Sequence, residues 1–321
     1  MMRRIHLFWP ALFSAMVISA LATSAGFAAD PIKVLIIDGM NNHDWRKTTE
    51  ANKATLEETD RFTVDVDTAP GRRASKEEWA AWRPKFSDYQ VVVSNFNDDC
   101  EEENGCEPIW SAETRADFAK YVADGGGFVP IHAADNAFAT WPEYNEIIGL
   151  GGWGGRKMGV SGYLLRDIDG EWQATSPDEG ISGEHGRMRQ FQVIHDQPDH
   201  PILRGLPTTW MHAKDELYSS MRGPAKNIEV LARSHSLYTN VDEPIVMVVT
   251  YGKGKTVHLP MGHYDDESQP HGAAVHCVGF QTLLARGTEY AATGEVTIGV
   301  PDSFPTEEEV SIVAPNEVQW K

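Results

Sequence analysis

The chain has little cysteine, little positive charge and none of the compact motifs that mark most hydrolytic sites. Three cysteines occur in 321 residues, and 28 lysines and arginines face 47 aspartates and glutamates. Such an acidic field repels phosphate backbones and anionic lipid surfaces, so neither nucleic acid nor membrane is expected as a partner. No HExxH metal motif is present, and the segment Ile131-His132-Ala133-Ala134 holds neither a cysteine nor a GxSxG serine. Nucleophilic catalysis by thiolate or serine at that turn is thereby excluded. The glycine-rich turn Gly149–Gly155 lacks the lysine of a P-loop and follows a helical pattern instead of a strand, and the loop Gly39–Trp45 offers no hydroxyl-rich phosphate cradle. No nucleotide or flavin cofactor is therefore expected. Beyond Ala22 no apolar run is long enough to span a bilayer, and no internal repeat is found.

What is present begins with an export signal. Arg3 and Arg4 precede the apolar stretch Leu7–Ala22, and Gly26-Phe27-Ala28 supplies the small residues that a signal peptidase reads. The stretch contains Pro10 and falls short of the roughly 20 residues of a membrane anchor. Cleavage after Ala28 leaves 293 of the 321 residues and, by removing two arginines, takes the net charge from −19 to −21. A periplasmic or extracellular location is expected, where Cys100 and Cys106 could pair and leave Cys277 single.

Residues 29–300 read as one large α/β domain. Lys33–Asp38, Tyr89–Ser94 and Gly127–Ile131 are short apolar runs without polar alternation, the pattern of parallel strands buried on both faces, and Phe62–Val66 is a shorter strand. Between them lie helices predicted from Thr48-Thr49 through Glu57, over Lys76–Trp82 and over Ala112–Ala123. Repeated alternation of strand and helix implies a doubly wound, mostly parallel sheet. Trp141–Ile148 reads as a helix. Arg156–Met188 reads as an irregular insertion, and His200–Leu203 as an extended piece. Pro244–Thr250 and Lys255–Leu259 pair as a hairpin across Gly252-Lys253-Gly254, and a helix follows over Ala273–Ala291. From Pro301 the composition suggests an acidic tail, 301–321.

Three histidines, His43, His132 and His263, each fall just past an apolar strand, and His212 lies four residues before Glu216. In an open parallel sheet the carboxyl ends of the strands form the ligand crevice, so the three should converge. Imidazoles and a carboxylate meeting in a cleft suit a divalent cation or acid–base chemistry near neutral pH. His212 and Glu216 would share a face only if they lay on one helical turn. Of ten tryptophans, Trp45, Trp141, Trp153 and Trp210 adjoin proposed site loops and could stack on sugar rings, with Asn97, Asp98 and Asp135 as hydroxyl acceptors.

Taken in order, NNHDW after the first strand, GGGFVPIHAADNAF with WPEYNEIIG, HPI at His200–Ile202, HAKDELY at His212–Tyr218, PIVMVVTYGKGK and MGH at Met261–His263 resemble the ThuA-like (trehalose utilisation) family from about Lys33 to Ala292. The resemblance implies a flavodoxin-like core of the class I glutamine amidotransferase type without its cysteine. It also implies the processing of glycosides through 3-keto derivatives made by a partner sugar 3-dehydrogenase, with a divalent metal such as zinc or manganese in some relatives. Carried over by position, it points to His43, His212 and His263 as metal ligands and to His132 and Glu216 as catalytic groups. Asp44, Trp45, Asp135, Trp141 and Tyr218 are then the expected substrate contacts. A non-catalytic periplasmic carbohydrate-binding module on the same fold is the alternative. The segment 156–188, with Glu184-His185, is least like the family pattern, and substrate choice could differ there.

Overall fold

The computed structural model describes residues 30–100, 105–159, 162–265 and 270–321. The proposed signal segment, residues 1–28, lies outside the described residues. In the first strand, β1 (Ile32–Asp38), Val34 and Ile36 enter one hydrophobic core and Leu35 and Ile37 the other. That two-sided burial is why no polar residue alternates along it.

The strands β2 (Phe62–Thr68), β3 (Val91–Ser94) and β4 (Gly127–Pro130) continue the pattern, with α1 (Trp45–Glu57), α2 (Lys76–Ala81), α3 (Ala112–Ala123) and α4 (Pro142–Ile148) between or after them. Asp44 caps α1 by accepting from the Lys47 backbone N–H at 3.2 Å. The expected cap, Thr48-Thr49, falls inside the helix instead. There Thr48 Oγ1 donates to the Asp44 carbonyl and Thr49 Oγ1 to Asp38 Oδ2, which satisfies both hydroxyls without ending the helix.

The segment after α4 holds a small antiparallel pair, β5 (Leu165–Ile168) and β6 (Glu171–Ala174), where only irregular chain was expected. Its strands are four residues long and mostly solvated, so their hydrophobic pattern is faint. Next come β7 (Arg189–His195), β8 (Thr209–Asp215), β9 (Ile228–Ser236), β10 (Val241–Tyr251) and β11 (Gly254–His258), and then α5 (Val278–Thr293). His200–Leu203, expected to be extended, is a turn in which the Leu203 and Arg204 N–H groups both donate to the His200 carbonyl.

Nine strands form one sheet in the order β2-β1-β3-β4-β11-β10-β9-β7-β8. From β2 to β11 every neighbour is parallel, which gives the flavodoxin-like order with β11 as the fifth strand. Beyond β11 the pairing is antiparallel, so the expected hairpin is the start of a four-strand extension. Leu56 of α1 and Phe280, Leu283 and Leu284 of α5 fill one core; Phe118 and Val122 of α3 and Tyr144 and Ile147 of α4 fill the other. Each such side chain contributes roughly 1.5–3 kcal/mol by leaving water.

Residues 301–321 are packed against this body. The Met211 N–H donates to the Thr306 carbonyl, the Val278 N–H to Ser311 and the Val313 N–H to His276, while Val318 is buried. Among the described residues no helix is long and apolar enough to cross a membrane. Cys100 and Cys106 form a disulfide, and Cys277 is free and buried at the start of α5.

Candidate metal centre and cavity

The strand order sets the site. Because β1, β4 and β11 run parallel, their carboxyl ends open at one edge of the sheet, and His43, His132 and His263 follow those ends. The ring centroids lie 5.0 Å apart for His43 and His132, 4.4 Å for His43 and His263, and 5.2 Å for His132 and His263. Glu216, just past β8, completes the group, and one ligand atom from each of the four lies within 4.8 Å of every other.

Each member is fixed by local structure. His132 sits at φ +46, an uncommon backbone for a non-glycine residue, at the sharp turn from β4 into a short 3₁₀ segment. Its N–H donates to the Leu259 carbonyl, and Nδ1 lies 3.2 Å from the Pro260 carbonyl. A proton on Nδ1 leaves the Nε2 lone pair facing the cluster, the arrangement in which a histidine ligates a metal while its second nitrogen is held by an acceptor. His263 follows Gly262, whose φ of +99 and closeness to the Phe280 ring admit no side chain; a Cβ there would stand 2.5 Å from Phe280. His43 Nδ1 lies 3.0 Å from His263 Nε2, and the Asn42 amide lies 3.1 Å from His43 Nε2.

Asp215 fastens the loops together. Its carboxylate accepts from the Gly262 N–H at 2.8 Å, the His263 N–H at 3.3 Å and the Glu216 N–H at 2.7 Å, and pairs with His212 Nε2 at 2.8 Å. His212 therefore does not join the histidine cluster. It lies on the strand β8, not on a helix, and its ring is fully buried behind Asp215. Burial alone would raise Asp215, but the His212 hydrogen bond and neighbouring imidazoles hold it well below the usual carboxylate range. Burial would likewise lower His212, and the Cys277 thiol and Asp215 outweigh it, lifting it to about 9.

The four candidate ligands are polarised against one another. Desolvation, with the neighbouring His132 and His263, pushes His43 down to about 3, and desolvation and His132 also lower His263. Both rings are thus held neutral. Burial would raise Glu216, but the hydrogen bond with His132 and the charges of His132 and His263 bring it down to about 2. For His132, burial is outweighed by Glu216 and Asp215, so its value is raised. Its Nε2 lies 3.4 Å from Glu216 Oε2 and 3.2 Å from Tyr218 Oη. Two neutral imidazoles, a third with its distal nitrogen anchored, and a carboxylate fit a divalent ion that accepts mixed nitrogen and oxygen ligands, such as zinc or manganese.

A cavity of about 510 Å³ opens beside the cluster, lined by His43, Glu216 and Tyr218 on one side and by Trp153, Ser182 and His185 on another. Of the other residues singled out in the sequence, Asp44 is the cap of α1 and Trp45 lies under the Arg46 guanidinium at 4.0 Å. Trp141 is buried in the aromatic core between Phe138 and Tyr144, away from this cavity. Asp135 is fully buried, 2.6 Å from His258 Nε2. Trp210 is also fully buried and donates to His195 Nε2. Asn97 lines the cavity, whereas Asp98 is buried and accepts from the Phe138 N–H. Tyr218 lines the cavity. Asp215 was not singled out as a site residue, because the strand that carries it, β8, shows no readable pattern in the sequence.

The trehalose utilisation family model, ThuA, matches residues 33–291. A ThuA-like protein of Parabacteroides merdae has a solved structure that is 40% identical, with a TM-score of 0.81, over 89% of this chain and 99% of that one. A second ThuA-like structure, from Bacteroides uniformis, is 19% identical with a TM-score of 0.49, over 85% of this chain and 96% of that one. No curated protein matches the sequence. The match over residues 33–291 and the likeness to the Parabacteroides protein place the chain in the ThuA, trehalose utilisation, family.

Proposed function

We propose that this chain is an exported sugar-processing enzyme that cleaves 3-keto-glycosides by metal-assisted proton abstraction and elimination at the anomeric carbon. The observation that carries the reading is the convergence of His43, His132, His263 and Glu216 beside a cavity of about 510 Å³, in a chain of the trehalose utilisation family. The Cys100–Cys106 disulfide supports an oxidising compartment such as the periplasm.

His43, His132 and His263 would hold the ion, and an ion there supplies Lewis-acid polarisation of the sugar carbonyl. A ketone at C3 makes the C2 hydrogen acidic, so a carboxylate can act as the base. Glu216, at the edge of the cluster, takes that proton. The C2–H electron pair becomes the C1=C2 bond, the C1–O bond breaks, and the aglycone oxygen leaves with its pair and takes a proton from water. No oxidant or reductant is consumed, because a separate sugar 3-dehydrogenase has already introduced the ketone. Tyr218, whose hydroxyl burial pushes well above its ordinary value, remains an O–H donor at neutral pH. Such proton transfer contributes roughly 10²- to 10⁴-fold to the rate.

The test is to assay the purified protein on 3-keto disaccharides before and after chelation. The reading expects activity that falls with chelation and returns with one divalent metal. A chelated protein at full rate would contradict it.

A further inference from the structure

The glycine-rich turn Gly149–Gly155 and the segment 156–188 lie outside the metal cluster, yet they build the opposite side of its cavity. Trp153 stands at φ +37, followed by Gly154 at +58 and Gly155 at +97. A large residue held in that region is strained, and the surroundings must fix it. The fixing group is Arg156, fully buried, whose guanidinium donates to the Gly152, Asn136 and Ala137 carbonyls at 2.8, 3.0 and 2.9 Å. The strained turn leaves the Trp153 ring half-buried on the cavity, in contrast to the buried Trp141 and Trp210.

His185 reaches the same cavity from the far end of the inserted segment. Glu184 pairs with Ser219 through two backbone hydrogen bonds of 3.0 and 2.7 Å, and Gly183 packs so closely on Gly152 that a Cβ would approach its Cα to 3.0 Å. The inserted segment is thus fastened to both the glycine-rich turn and the chain that carries Glu216. His185 Nε2 lies 3.6 Å from Glu216 Oε1, its ring centroid lies 5.7 Å from that of Trp153, and Trp153 lies 4.6 Å from Tyr218.

We infer that Trp153 and His185 form the sugar-binding wall of the site, so that the glycine-rich turn and the inserted segment, not the α/β core, select the ligand. A pyranose has an apolar C–H face and a rim of hydroxyls. An indole beside a gap bordered by an imidazole and a carboxylate matches both, the ring stacking on Trp153 while adjacent hydroxyls bond to His185 and Glu216. The inference rests on the carbohydrate reading proposed above and names the residues that would discriminate among sugars.

The experiment measures binding, not turnover. Titration calorimetry of the full chain with trehalose and with methyl glucoside, which lack the 3-keto group that the elimination needs, is compared for wild type, Trp153→Ala, Trp153→Phe and His185→Ala. Metal content and thermal unfolding are measured on each. The expected result is a loss of affinity of at least tenfold in Trp153→Ala and in His185→Ala, recovery to within about threefold of wild type in Trp153→Phe, and unchanged metal content. Wild-type affinity in both alanine variants would overturn the wall while leaving the metal cluster untouched. Equal loss in Trp153→Ala and Trp153→Phe would also overturn it, since an aromatic platform should tolerate phenylalanine. A wild type that binds these sugars but leaves their 3-keto derivatives uncleaved, with the variants behaving as expected, would contradict the catalytic reading and support the wall.

Discussion

Asp215 is the residue through which two chain segments reach a common geometry. It receives three backbone N–H groups, from Glu216, Gly262 and His263, and its charge is paired with His212. Replacing Asp215 by Asn keeps the volume but turns one acceptor edge into a donor that faces those N–H groups. The expected outcome is a loss of about 10- to 100-fold in metal affinity, as is usual when the group orienting a ligand is altered, measurable by competition with a chromophoric chelator. A pH effect belongs to His195, away from the cluster, which burial lowers to about 4 and whose Nε2 accepts from Trp210. Because its folded value is depressed below the ordinary 6.5, its contribution is present above pH 6.5 and is lost as pH falls from 6.5 toward 4. His195→Gln should flatten that limb of the stability curve, by at most about 3 kcal/mol. Denaturant midpoints taken between pH 8 and pH 4 measure it, and a limb unchanged in the variant would contradict the assignment.

At the scale of elements, the strands that position the histidines were the most legible part of the sequence. Residues such as Val34–Ile37 and Val91–Val93 are apolar on both faces, and no helix of a half-exposed protein needs that pattern. Strand β8 was not legible, because Trp210, Met211, His212 and Ala213 carry neither alternation nor helical spacing; its buried polar residues are there to hold the site. The family resemblance points to His212 as a ligand, whereas β8 places its ring behind Asp215. The pair β5–β6 was hidden by its exposure. Where elements touch by backbone, the consequence is testable: a Cβ at Gly127 would come within 2.6 Å of the Ala291 carbonyl, joining β4 to the end of α5. Gly127→Ala should cost roughly 1–3 kcal/mol of stability, since neither backbone can yield easily. A chemical-denaturation midpoint equal to that of wild type would show that the sheet and helix are free to separate.

On the scale of the whole molecule, the apolar strand pattern put the three histidines at strand ends, and the sheet order accounts for their meeting. The convergence was expected from the strand ends alone; what the sequence could not show is the order β1, β3, β4, β11 that brings His43 and His263 to one place. The tail is the other lesson. Its composition is acidic and proline-bearing, and the chain from Thr306 to Val313 hydrogen-bonds to Met211, His276 and Val278. Deleting residues 301–321 should therefore lower the thermal midpoint and the yield of soluble protein, not merely shorten the chain. The central claim, that His43, His132 and His263 hold one divalent ion beside Glu216, is tested most directly by titrating zinc and manganese into metal-stripped full-length protein with calorimetry and elemental analysis. The account predicts one ion per chain in the wild type, with loss of that ion in His43→Ala and His263→Ala but its retention in His212→Gln, though with weaker affinity. A wild type that takes up no ion, or alanine variants that bind it as well as the wild type, would contradict the account.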